Sequence, residues 1–311
     1  MIDFDKVLTP EERTVFTLRG LYREYGYQQY KMSKFEEYDL YAKNKDFLVS
    51  DGVITFNDKD GRLLALKPDV TLSIIKNSKD TGGVQKVFYN ENVYRAEKGT
   101  GSFKEIMQTG IEYIGRVGSP ELSEVITLAV RSLAANTRRY VLELADMDVL
   151  EAFLSCLGIS ERGCERILEC LREKNASGAA SVVEDEGGSQ ADAALISELV
   201  KFHCPASVAE ERLSLFIRDD ATEAAVGSFV SVLRELIRAG VADSVFVDFS
   251  VVNNTRYYNG IAFRGFAEGA PSAVLLGGRY DKLMRRMKRE ACAVGFAVYV
   301  DELARAGREN D

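Results

Sequence analysis

The chain has 311 residues, 46% hydrophobic and 28% charged, with 48 acidic against 40 basic side chains and a formal net charge of −8. Such a composition carries a substantial core, and its negative balance offers no bulk attraction to a phosphate backbone, which argues against nucleic acid as the main partner. No apolar run approaches the roughly 20 residues of a membrane span, and the acidic start MIDFDKVLTPEER lacks the layout of a signal peptide, so no membrane association and a cytoplasmic location are expected.

Thr9-Pro10-Glu11-Glu12 has the pattern of a capping box with proline at the first helical position. A helix is predicted from there to Gly26, with Val15, Phe16, Leu18, Leu21 and Tyr22 near one face. Residues 27–32 read as extended. Asp51-Gly52 and Asp58-Lys59-Asp60-Gly61 bracket 53–57 as one arm of a hairpin, and 63–67 is the returning strand, stopped by Pro68. A short helix is predicted over 70–76, then strands over 84–94 and 110–114. The polar, glycine-bearing stretch 96–104 between them reads as a mobile hairpin loop.

Ser119 and Pro120 open the next helix, with Leu122, Val125, Ile126, Ala129, Val130 and Leu133 at helical spacing. A strand follows over 139–145. From 149 to 241 the periodicity is helical only, broken by GAAS and EDEGGSQ around 178–189. This block is predicted to be a helical insertion, loosest near 174–192. Strand signals return at 244–252, 257–264, 273–276 and 293–300. The pattern predicts an α+β fold, an antiparallel sheet flanked by helices. Residues 1–148 and 242–311 would form one domain, with 149–241 inserted.

The five cysteines, at 156, 164, 170, 204 and 292, form no CxxC pair, and His203 is the sole histidine. Ligand spacing of this kind predicts no metal site, reduced thiols, and no serine-histidine-aspartate hydrolase, for which a GxSxG elbow is also lacking.

Four motifs in order resemble the core of a class II aminoacyl-tRNA synthetase of the histidyl type. Lys67-Pro68-Asp69-Val70-Thr71 is similar to a segment carrying part of that family's histidine pocket. Arg95-Ala96-Glu97, followed by a loop and Gln108-Thr109-Gly110-Ile111-Glu112, resembles motif 2. Asn253-Asn254-Thr255-Arg256-Tyr257-Tyr258-Asn259-Gly260 aligns with the histidyl signature Arg-Gly-Leu-Asp-Tyr-Tyr. Gly277-Gly278-Arg279-Tyr280-Asp281 and Gly295-Phe296-Ala297 match the approach to motif 3. The resemblance implies a site for free L-histidine made by Asp69, Thr71, Arg95, Gln108, Glu112, Tyr257 and Tyr258. Asp69, Thr71 and Gln108 would take the ammonium group, and Glu112 with the two tyrosines would surround the imidazole. Taken alone, Tyr257 and Tyr258 would read as sheet packing. Glu112 stands among apolar strand neighbours, where an unpaired carboxylate is costly.

The departures from the family pattern carry as much information. Adenylate synthesis needs positive charge on the triphosphate and on the attacking carboxylate. Asn253 stands where the signature has arginine, and Glu302 where motif 3 has its nucleotide-binding arginine. Losing one well-placed donor costs about 2.7–4 kcal/mol in a transition state, and a carboxylate beside a triphosphate adds repulsion. The motif 2 loop, 98–104, has no arginine, and Ser33 occupies the usual proline position of motif 1. The chain stops shortly after motif 3, so no anticodon-binding domain is expected. A histidine pocket kept while catalytic arginines are lost resembles the regulatory subunits of ATP phosphoribosyltransferase. That resemblance implies a non-catalytic homodimer within a hetero-oligomer, partnered by a short-form catalytic subunit, tied to the first step of histidine biosynthesis and needing no cofactor. The alternatives are a divergent histidine-activating ligase and a synthetase-like module that binds RNA or protein.

Overall fold

The computed structural model describes residues 7–48, 52–79, 82–96, 102–251 and 258–308. Helix α1 (Pro10–Glu24) starts where the sequence predicts: Glu12 N donates to Thr9 Oγ1 at 3.2 Å and Thr9 N to Glu12 Oε2 at 2.9 Å. Those two bonds satisfy backbone donors that a helix start leaves open. Next come β1 (Gln28–Gln29), β2 (Phe35–Glu37), α2 (Tyr38–Ala42), β3 (Thr55–Asn57), β4 (Leu63–Leu66), α3 (Thr71–Asn77), β5 (Gln85–Ala96), β6 (Phe103–Gly115), α4 (Ser119–Ala134) and β7 (Tyr140–Asp146). The middle of the chain forms α5 (Met147–Cys156), α6 (Glu161–Arg172), α7 (Ala176–Asp185), α8 (Gln190–Val200), β8 (His203–Pro205), α9 (Ala209–Leu213) and α10 (Asp220–Arg238). The last part holds β9 (Val245–Asp248), β10 (Ile261–Ala267), β11 (Leu275–Arg279), α11 (Asp281–Arg286), β12 (Cys292–Tyr299) and α12 (Val300–Arg308).

Among the described residues nine strands form one sheet in the order β1-β5-β6-β12-β11-β10-β7-β9-β8, and β2-β4-β3 form a small second sheet that contains the predicted hairpin. From β5 to β7 every neighbouring pair is antiparallel, as expected. The expectation needs correction toward the margins, where β1 joins β5 and β9 joins β7 in parallel. A parallel pair needs a long crossover, and the helical middle of the chain supplies the one between β7 and β9. The β5–β6 hairpin is also longer than predicted, because β6 begins at Phe103 and pairs its polar residues with the end of β5, Lys104 opposite Arg95. The predicted mobile loop falls mainly on 97–101, outside the described residues.

Helix α4 buries Leu122, Val125, Ile126, Ala129, Val130 and Leu133, the predicted stripe, in the main core. Phe153, Ile167, Val183, Ile196, Phe216 and Phe229 of the 147–238 stretch join that same core, with Val245 and Val247 of β9. Burying each such side chain contributes about 1.5–3 kcal/mol. Two sequence expectations for this stretch change. It is not helical throughout, since β8 pairs with β9 at the sheet edge. The supposedly loose segment 174–192 is mostly helix. Asn175 Oδ1 accepts from Gly178 N at 2.9 Å and starts α7, while Ser189 and Asp192 form the capping box of α8. These local caps outweigh the helix-breaking tendency of glycine. Among the described residues no helix is long and apolar enough to cross a membrane.

Candidate functional site

Alternation along the strands decides which side chains can meet. On β6, Gln108, Gly110 and Glu112 share a face and stand opposite Tyr299, Ala297 and Gly295 of β12. The last two rows continue through Leu276 and Gly278 of β11 to Arg264 and Ala262 of β10. Tyr89, Glu91 and Arg95 of β5 complete the surface. The opposite face belongs to α4: a Cβ added at Gly265 would come within 2.8 Å of Leu133 Cδ1. The free face floors a cavity of about 310 Å³.

Six of the seven residues expected in the ligand site line this cavity: Asp69, Thr71, Arg95, Gln108, Glu112 and Tyr258. Tyr257 lies outside the described residues, as does Asn253. Asp69 and Thr71 hang over the floor because Pro68 ends β4 and α3 begins at once. Asp69 Oδ1 accepts from Leu72 N at 2.9 Å and so helps start that helix. Arg95 Nε donates to Pro68 O at 2.9 Å, and its Nη1 to the Tyr299 hydroxyl at 3.3 Å.

Glu112 is the electrostatic centre. Its side chain is buried, with Thr71 Oγ1 donating to Oε1 at 2.7 Å and the Tyr280 hydroxyl donating to Oε2. Burial pushes its pKa up to about 8; the bonds from Tyr280 and Thr71 oppose that rise, and nearby Asp69 adds to it. Burial also raises Asp69, against the Leu72 backbone bond and the Arg95 charge. A carboxyl group balanced in this way can exchange a proton near neutral pH. Gly295, directly opposite Glu112, makes room for it: a Cβ there would lie 1.8 Å from Oε2.

Tyr280 was not among the sequence candidates, although its motif was. Its position follows from its neighbours. Asp281 Oδ2 accepts from Arg279 Nε at 2.7 Å and Oδ1 from Ala293 N at 3.0 Å, so the Arg-Tyr-Asp run is pinned against β12. Arg264 was also missed. Its Nε donates to Glu143 Oε2 at 2.8 Å and its Nη2 to Ser250 Oγ at 2.9 Å, and it lines the same cavity. Glu143, His203 and Asp248 bring possible metal-ligand atoms within 4.8 Å of one another. Two of these groups already meet cations, Glu143 through Arg264 and Asp248 through Lys174 at 2.5 Å. Glu302, in the first turn of α12, accepts from Arg305 Nη1 at 3.2 Å. It is not among the residues that line the cavity.

The histidyl-tRNA synthetase family model matches residues 8–303. The chain belongs to that family. Within it, an ATP phosphoribosyltransferase regulatory subunit from Clostridium botulinum is 27% identical over 294 residues, covering 92% of this chain and 69% of that protein. A crystal structure from Bacillus halodurans, described as an ATP phosphoribosyltransferase regulatory subunit/histidyl-tRNA synthetase, superposes with a TM-score of 0.86 at 25% identity, covering 98% of this chain and 80% of the other. A chain of the ATP phosphoribosyl transferase (HisG:HisZ) complex from Thermotoga maritima shares the fold, with a TM-score of 0.71 at 17% identity, over 96% of this chain and 97% of the other. The synthetase-like α+β fold expected from the motifs is the one observed.

Proposed function

We propose that this member of the histidyl-tRNA synthetase family is a non-catalytic regulatory subunit of ATP phosphoribosyltransferase, acting at the first step of histidine biosynthesis. It activates a short-form catalytic subunit and senses L-histidine. The observation that carries the reading is the cavity itself: buried Glu112, held by Thr71 and Tyr280, faces Asp69, Arg95, Gln108 and Tyr258 across one sheet face. Two acidic groups and a tyrosine-lined floor suit the ammonium and imidazole of free histidine. Glu302, aligned by motif with a nucleotide-binding arginine, argues against ATP use. Relatives bearing the regulatory-subunit name support the same reading.

In this proposal two copies form a homodimer through α1 and the strand after Gly26, inside a cytoplasmic hetero-oligomer with the catalytic chain. Residues 149–241 act as an insertion in the synthetase-like domain. Histidine must favour one state of the assembly, since equal affinity for both shifts nothing. Calorimetry with histidine, on the subunit and on its complex, tests the sensor role. Phosphoribosyl transfer to ATP, measured with and without histidine, tests the coupling. Binding that leaves transfer unchanged would remove the regulatory assignment. Histidine-dependent ATP–pyrophosphate exchange above a no-enzyme control, lost in Arg95→Ala, would instead identify a ligase.

A further inference from the structure

We propose that Arg264 receives the carboxylate of the amino acid that fills the cavity; this rests on the histidine-binding reading above. A free amino acid brings a carboxylate as well as an ammonium and a side chain, and a buried carboxylate is costly without a partner. A guanidinium is the side chain best matched to it, because its planar fork can donate two parallel hydrogen bonds. Among the described residues, two guanidinium groups line the cavity, Arg95 and Arg264.

Their commitments differ. Arg95 spends Nε on Pro68 O and Nη1 on Tyr299, and its charge acts on Asp69, opposing the effect of that residue's burial. Arg264 spends Nε on Glu143 and one Nη2 hydrogen on Ser250, which leaves Nη1 without a hydrogen-bond partner among the described residues. A guanidinium carries five N–H donors. The Glu143 pair therefore anchors and orients it while an edge stays available.

Position supports the assignment. Arg264 stands on the same sheet face as Glu112 and Gln108, on a row that runs through Leu276, Ala297 and Gly110. Three strand spacings, roughly 14 Å, separate β10 from β6 at the backbone. Glu112 and Arg264 thus stand three strands apart on the floor of the cavity, one suited to an imidazole and the other to an anion. The Arg264–Glu143 pair has side chains only 17% and 15% exposed, so the charge is weakly screened.

Histamine, which keeps the imidazole and amine of histidine but lacks the carboxylate, separates this role from a structural one. Calorimetry of both ligands on the full-length protein should show wild type preferring histidine. Arg264→Gln should weaken histidine binding by about 10- to 100-fold, the loss of a charge-assisted contact, and leave histamine within about twofold. Arg264→Lys keeps a cation beside Glu143 and serves if the glutamine variant unfolds; it should lose part of the histidine preference and none of the histamine affinity. Equal losses for both ligands, or no loss for histidine, would overturn the assignment while leaving the pocket reading intact. Failure of wild type to bind histidine at millimolar concentration would overturn both.

Discussion

Glu112 shows how one buried carboxyl group can make a site responsive to pH. Its pKa of about 8 in the folded chain lies above the ordinary value of about 4.3, so the native state holds its proton more tightly than the unfolded state does. The stability this group contributes is fully present below about pH 4.3 and is lost as pH rises toward about 8. Glu112→Gln should flatten that decline, which urea unfolding at a series of pH values would register; an unchanged slope would contradict the buried-acid picture. If the cavity takes histidine as proposed, the ligand imidazole would share a single proton with this carboxyl group. Below about pH 6.5 the free imidazole is itself protonated, and above about pH 8 Glu112 has lost its proton. Histidine affinity should therefore peak between those values, with the decline above about pH 8 absent in Glu112→Gln.

At the scale of the element, two short stretches store identifiable constraints. Strand β12 can pass Glu112 only because residue 295 is glycine: a methyl group there would meet Glu112 Oε2 at 1.8 Å and the Ile111 carbonyl at 2.4 Å. Gly295→Ala should cost about 1–3 kcal/mol by overpacking, measured by chemical unfolding, and should abolish histidine binding by displacing the carboxylate. The end of α11 holds a constraint of another kind. Arg289 N donates to Met284 O at 2.9 Å, closing the helix with Lys288 in the left-handed region at φ 59°. Glycine is the usual residue at such a helix end. Left-handed backbone costs other residues about 1–2 kcal/mol. Lys288→Gly should raise stability by about 0.5–1 kcal/mol, part of the gain being offset by the greater freedom of glycine in the unfolded chain, with a corresponding rise in Tm.

At the scale of the molecule, the central question is how the 147–238 stretch is held to the sheet. Lys174 has the same kind of left-handed backbone as Lys288, at φ 54°, between α6 and α7. Here the conformation has a use. The Lys174 ammonium lies 2.5 Å from Asp248 Oδ2, at the end of β9, and the Asp248 side chain is fully buried. Burial pushes Asp248 up, but the Lys174 bond and those of Ser250 outweigh it and hold the carboxyl below its usual value. Its stabilising contribution is therefore present above about pH 3.9 and is lost at lower pH. Lys174→Met should destabilise the protein by about 1.5–3 kcal/mol, the cost of losing a hydrogen bond to a charged group. The same change should expose amides of α6 and β9 to faster hydrogen exchange. Loss of stability with unchanged exchange in those two elements would show that the pair does not tie the helices to the sheet.

Much of this arrangement was legible in the chain because its signals are local. The Thr9–Glu12 box, the 53–67 hairpin and the α4 stripe each lie within a stretch of contiguous sequence, and the structure has them where they were expected. Asp69, Thr71, Arg95, Gln108 and Glu112 were found because they belong to short motifs in a recognisable order. The α7 cap at Asn175 was local too, but the glycines around it masked it. What tertiary structure alone decided are contacts between strands far apart in sequence. Tyr280 reaches Glu112 across 168 positions, and Arg264 reaches Glu143 across 121. Their partners depend on strand order and register, which hairpin turns specify only for neighbours. The parallel pairs of β1 and β9 depend on the same order. By itself the sequence determined six of the polar and aromatic residues of the cavity, Asp69, Thr71, Arg95, Gln108, Glu112 and Tyr258; strand register added Tyr280 and Arg264 and decided which side chains share its floor.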